Sequence, residues 1–156
     1  METNTILTTN TIEKIFIKNK DIYSIEQVFC WNFYKECVQE VYNLIGPGHQ
    51  EIIYSKALQR EFILRNVDFQ EETHVNITYK GAVIGSVRTD ISIINGPVIE
   101  LKAISNKPTN IQFQQIVNYL KLTGKQEGYL VNFPQPSSAI SKLTRPNVDF
   151  FLIKRN

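Results

Sequence analysis

Two charged residues interrupt an apolar run in "VIELKAI", residues 98–104, where Glu100 and Lys102 stand two positions apart. In a strand, side chains two apart share a face, so these two project together while Ile99 and Leu101 project the other way. A salt bridge would satisfy the pair. The same pairing suits metal-assisted chemistry on a phosphate, with the carboxylate holding a hard cation and the ammonium facing anionic charge. Four more polar residues occupy interior positions of their elements. Glu51 lies on or beside the buried stripe of a helix, Asp90 falls inside a strand, and Gln115 and Tyr119 are one turn apart on a later helix. Each has a plain alternative: Glu51 at a helix N-terminus, Asp90 paired with Arg88, Glu100 paired with Lys102, Gln115 on the surface and Tyr119 in the core.

The elements that would position these residues follow from periodicity. From Cys30 the pattern is helical, with Phe33, Cys37, Val41 and Leu44 at three- and four-residue steps, and "GPG" at 46–48 stops it. A second helix runs from about His49 to Leu64, with Tyr54, Ala57, Leu58 and Phe62 as its apolar stripe. "HVNITYK", "AVIGSVRTDISI" and "PVIELKAI" then read as three strands joined by short turns, an antiparallel meander. A helix follows from about Asn110 to Leu122, opened by "KPTN" and closed by Gly124; "GYLVNF" and "DFFLIKR" are the remaining strands. Residues 1–30 form an N-terminal extension, with a loose start and a strand or helical turn in "IEKIFIK", and residues 31–156 form one domain.

Length and composition bound the function. A chain of 156 residues with 42% hydrophobic and 21% charged residues supports one domain with a real core. The net charge of +2 permits nucleic-acid binding without requiring it. No segment is apolar enough to span a bilayer, and "METNTILTTN" lacks the order of a secretion signal, so an intracellular protein is expected, cytoplasmic or, if a large DNA virus encodes it, at viral DNA. Cys30 and Cys37 are too far apart along one helix for a disulfide, and with His49 and His74 they form no zinc spacing.

The site residues carry a resemblance. Asp90, Glu100 and Lys102 resemble the D…(D/E)-x-K signature of the PD-(D/E)xK nuclease superfamily, with Thr89 standing where the superfamily name places proline. "GHQEIIY", residues 48–54, resembles the G-x-x-E-x-x-Y motif of the GxxExxY branch, and Gln115 to Tyr119 is similar to the Q-x-x-x-Y helix of RecB-like and lambda-exonuclease-like nucleases. The similarity runs over residues 32 to 133. It implies an α/β, restriction-endonuclease-like core: a helix, a three-strand antiparallel meander, a helix and a strand, with a mixed central sheet flanked by helices.

The resemblance also implies roles. Asp90 and Glu100, with the main-chain carbonyl of Leu101, would hold Mg²⁺, Mn²⁺ serving as substitute, and Lys102 would stand over the attacking water or the scissile phosphate. Glu51 would join the metal site from its helix, Gln115 would orient water or substrate, and Tyr119 would pack behind it or contact the strand. Lys80, Arg88, Lys121 and Lys125 are candidate contacts to backbone phosphates, although ordinary solvated charge also accounts for each. The substrate implied is nucleic acid, DNA favoured over RNA, with oligomeric state undefined. The rival is a binding or scaffold protein that keeps the nuclease fold.

One turn decides whether the acids can cooperate. A two-residue Asn95-Gly96 hairpin would place Asp90 and Glu100 on opposite faces of the sheet. A three-residue loop, Ile94-Asn95-Gly96 with Gly96 in the left-handed position, sets them opposite each other on one face, and this register is the one expected.

Overall fold

The computed structural model describes residues 4–8, 25–136 and 147–155. They form β1 (Asn4–Thr8), α1 (Ile25–Ile45), α2 (Glu51–Leu64), β2 (Phe69–Tyr79), β3 (Ala82–Ile93), β4 (Val98–Lys102), α3 (Asn110–Thr123), β5 (Glu127–Asn132) and β6 (Asp149–Arg155). The strands make one sheet in the order β1-β6-β5-β4-β3-β2. β4 and β5 run parallel and every other neighbouring pair is antiparallel. A parallel neighbour needs a crossover, and α3 supplies it.

The two faces of the sheet are covered differently. On one, α1 and α2 bury Trp31, Tyr42, Tyr54, Leu58 and Phe62 against Ile91, Ile99, Leu101, Tyr129 and Val131. On the other, α3 packs Ile116, Val117, Tyr119 and Leu120 against Val98, Leu130 and Ile153. Strand alternation is therefore visible in β4 itself, where Ile99 and Leu101 face the larger core and Val98 faces α3. α3 begins with a reciprocal contact between the Thr109 N–H and the Gln112 side chain, and ends at Gly124 in the left-handed conformation (φ 74°).

Most sequence-based bounds hold to within a residue or two; β2 is an exception, starting at Phe69 rather than at the expected His74, because Phe69–Thr73 pair along β3 without a period-two apolar pattern of their own. α1 starts at Ile25, one turn or more before the expected Cys30. Leu44, assigned to its buried stripe, is 71% exposed because α1 ends next to the "GPG" turn and turns that side to solvent. Residues 4–8, expected to be loose, instead extend the sheet by pairing along β6 from Asn4↔Arg155 to Thr8↔Phe151. Their pairing partner is about 150 residues away, beyond the reach of local periodicity. "IEKIFIK" lies outside the described residues.

Candidate active site

The β3–β4 turn sets the register on which the site depends. Ile91 pairs with Ile99 and Ser92 with Val98, and the Ile93 N–H donates to the Pro97 carbonyl at 2.9 Å. The loop is thus Ile94-Asn95-Gly96, and continuing the register sets Asp90 opposite Glu100, as expected. The left-handed residue differs from expectation: Asn95 takes φ 55°, and Gly96 has no positive φ. Asparagine tolerates that conformation because its side chain is short and polar. Glycine is needed at 96 for space, since a Cβ there would lie 2.8 Å from Ile93 Cγ2. The Lys125 ammonium braces the same turn, donating to the carbonyls of Ile93 (2.9 Å) and Gly96 (2.8 Å).

Beyond Ile91 and Ile99 the two strands separate, and Asp90 fills the gap. Its Oδ2 accepts the Leu101 N–H at 2.7 Å, taking the place of a main-chain acceptor. A strand residue presents its N–H and C=O to the same neighbour, so the Leu101 carbonyl lies on this edge too. The next residue faces the other way, because the Lys102 carbonyl accepts from Phe133 N at 2.8 Å.

Asp90, Glu100 and Lys102 line a cleft of about 330 Å³ together with Glu51, Ser86, Arg88, Gln115 and Tyr119. All six residues singled out for catalysis from the sequence reach this one cleft, from α2, β3, β4 and α3. The Lys102 Nζ is 3.7 Å from Glu100 Oε1, a long ion pair. Tyr119 is buried and its hydroxyl shares a 2.7 Å hydrogen bond with Thr73 Oγ1 on β2, while Gln115, one turn earlier, is exposed at the rim. Arg88 also borders the cleft. Lys80 stands at the β2–β3 turn, Lys121 on the exposed side of α3, and Lys125 at the β3–β4 turn, so these three are away from it.

Three acids in a partly buried cleft repel one another. Burial pushes the Glu100 carboxyl up to about 7, helped by the charges of Asp90 and Glu51 and opposed by Lys102. Asp90 is raised as well, by burial first, against the pull of the Leu101 N–H, Lys102 and Arg88. Glu51 is raised by burial and by Asp90, with Lys102 and Arg88 again opposing. Such a cluster is stabilised by added positive charge.

Glu51 is placed by a brace that the sequence blocks did not reveal. It is the first residue of α2, following a Gly46–Gly48 loop in which Gly48 has φ 98°. The Tyr54 hydroxyl, one turn on, donates to the Gly46 carbonyl at 2.7 Å, and its ring stacks on Phe133 at 4.3 Å and 6°. Gln135 joins this loop to the end of β5: its Oε1 accepts from Gly48 N (2.7 Å) and its Nε2 donates to the Tyr54 hydroxyl (3.0 Å). The spacing of Gly48, Glu51 and Tyr54 thus has a structural reason, a tyrosine locking the glycine turn that launches the glutamate. Gln135 is 81 residues from Tyr54, and no local pattern signals it. Glu72 lies on β2, outside the residues that line the cleft. It has a strained φ of 44°, and its charge raises the Asp90 carboxyl.

A mixed sheet between two helices on one face and a crossover helix on the other, with paired acids where two central strands separate, defines a restriction-endonuclease-like α/β fold. A family model described as the PD-(D/E)XK nuclease superfamily matches residues 32–143, most of the chain, and the protein belongs to that superfamily. No curated protein matches it. No helix among the described residues is long and apolar enough to cross a membrane.

Proposed function

We propose that this protein is a metal-dependent nuclease of the GxxExxY branch that hydrolyses phosphodiester bonds in DNA. The observation that supports the reading is one cleft lined by Asp90, Glu100, Lys102, Glu51 and Gln115, with the Asp90 carboxylate bonded to the Leu101 N–H of the neighbouring strand.

The donor set fits Mg²⁺. Among the described residues no group of three or more His, Cys, Asp and Glu is gathered closely enough to hold a metal alone. Mg²⁺ does not require one, because it binds through one or two carboxylates and completes its shell with water and phosphate oxygens. Asp90, Glu100 and the Leu101 carbonyl would supply hard oxygen donors on one edge, and among the described residues no Cys, His or Met lines the cleft to favour zinc or copper. When bound, the ion would supply charge neutralisation at the phosphate and lower the pKa of water.

The remaining work falls to the chain's own groups. Lys102 holds a fixed positive charge on the face it shares with Glu100, where negative charge builds as the phosphate is attacked. Glu51, whose proton affinity is raised by burial, is suited to exchange a proton with water inside the cleft. Gln115 orients water or substrate through its amide at the rim, and Tyr119, tied to Thr73, keeps that turn of α3 against the cleft. Arg88 offers a guanidinium to a flanking phosphate.

Purified protein incubated with linear, nicked and circular DNA and with RNA, in Mg²⁺, Mn²⁺, Ca²⁺ or EDTA, tests the reading. Cleavage of DNA with Mg²⁺ or Mn²⁺, little with Ca²⁺ and none with EDTA is expected. A protein that leaves every substrate intact under all conditions would instead be a scaffold keeping the fold.

A further inference from the structure

β2 and β3 run well past the rest of the sheet. β3 has 12 residues against 5 in β4, and its ladder to β4 covers only Ile91 and Ser92. α3 supports the base of this hairpin, where Val75 and Val87 pack beside Phe113 and the Tyr119 hydroxyl meets Thr73. From Asn76 to Ser86 every side chain but Ile77 is exposed. A bare hairpin ordinarily carries a polar surface, yet Tyr79, Val83 and Ile84 are 60%, 62% and 64% exposed near its tip. The Lys80 ammonium lies 5.4 Å from the centre of the Tyr79 ring.

Charge identifies the kind of partner. No aspartate or glutamate falls between Glu72 and Asp90, although the chain holds 15 acids, and this stretch carries Lys80 and Arg88. A second copy docking symmetrically on the same surface would set cation against cation. A polyanion with flat apolar faces matches both features, since its phosphates meet the cations and its bases stack on the aromatic and aliphatic tip. The hairpin is also continuous with the cleft, which its base lines through Ser86, Val87 and Arg88.

We infer that the β2–β3 hairpin is a nucleic-acid arm whose exposed tip, with Tyr79 and Val83 on opposite faces of the ribbon and Ile84 at the bulge beside them, contacts bases of the strand whose scissile phosphate lies in the Asp90–Glu100 cleft. This rests on the nuclease reading and extends it to substrate length. Ile84 is six residues from Asp90, about 20 Å of strand, so the tip meets nucleotides roughly six steps from the scissile bond.

The test uses a variant with Tyr79→Ser, Val83→Ser and Ile84→Ser together, and Tyr79→Phe as the conservative control. Fluorescence anisotropy in EDTA measures binding to labelled 30-nucleotide and 6-nucleotide DNA, and kinetics in Mn²⁺ compare long DNA with bis(p-nitrophenyl) phosphate, a diester too small to reach the tip. The triple variant should bind the 30-mer about tenfold more weakly and raise KM for long DNA to a similar degree. Its hydrolysis of the small diester and its melting temperature should match the parent protein, its loss of 6-mer affinity should be no greater than its loss for the 30-mer, and Tyr79→Phe should behave as the parent. Unchanged affinity for the 30-mer, or a change confined to sedimentation behaviour or vesicle binding, overturns the arm. If the parent protein cuts neither substrate yet loses DNA affinity in the triple variant, the nuclease reading fails and the arm stands.

Discussion

The two faces of β4 receive opposite treatment from the same strand. Ile99 and Leu101 are fully buried against α1 and α2, where size and shape are all that matter. One residue away, Glu100 and Lys102 occupy a half-buried cleft, where the acids hold their protons more tightly than they would in water. The first face stabilises the fold by removing apolar surface from water. The second costs stability, and is tolerated because the first is strong. The difference teaches that the site is held by the core behind it rather than by its own contacts.

Breaking the charged face should have the largest effect on activity, with a smaller effect on stability whose sign follows the charge removed. Asp90→Asn, Glu100→Gln and Lys102→Ala are each expected to lower cleavage by roughly 10³-fold or more, because the first two remove a proposed metal ligand and the third removes the cation proposed to face the phosphate. Melting temperatures in EDTA should stay the same or rise for the two acid variants and fall modestly for Lys102→Ala, which removes the ammonium that opposes their repulsion. Variants that unfold, or that cleave at the parental rate, would mean these residues are structural.

The opposite face should answer the opposite way. Ile99→Ala leaves a cavity in the larger core and should cost roughly 3 kcal/mol in denaturant melts. The fraction still folded should retain cleavage per molecule, since no group in the cleft is altered.

The pH dependence sharpens the contrast. Glu100 has its carboxyl raised from 4.5 to about 7, so the folded protein binds this proton more tightly than the unfolded chain does. Stability from this group is therefore complete below about pH 4.5 and is lost as pH rises toward 7. Glu100→Gln should match the parent near pH 4 and exceed it at pH 8 by ~1–3 kcal/mol in thermal melts. Added Mg²⁺ should stabilise the parent at pH 8 and leave the variant almost unmoved; equal stabilisation of both would place the ion elsewhere.

The smallest expected effect lies in the turn that joins the two faces. In Gly96→Ala the new Cβ meets the Ile93 side chain and should cost about 1 kcal/mol. Any loosening of the β3–β4 register would appear as a larger loss in cleavage than in stability, measured by parallel melts and rate assays.

Much of this architecture was legible because its causes are local. Helix and strand periods, the glycine and proline stops, and the parity of the Asn95-Gly96 loop are set by neighbours within a few residues, so α2, α3 and the meander could be read directly. The same parity sets Asp90 across from Glu100 from the loop length alone. The left-handed residue of that loop is Asn95 rather than Gly96, which serves instead to clear the Ile93 side chain, a contact that no local pattern shows.

Residue types and spacing by themselves determined which side chains could do chemistry and which pairs could share a face. Only the tertiary structure decided what those side chains meet: Glu51 reaching the acids of β3 and β4, Lys125 turned to the hairpin carbonyls, β1 joining the far edge of the sheet, and Gln135 tying the loop before Glu51 to the end of β5. Those contacts join segments far apart along the chain. Their strength comes from burial and hydrogen bonding that exist only once the sheet and its helices have closed around them.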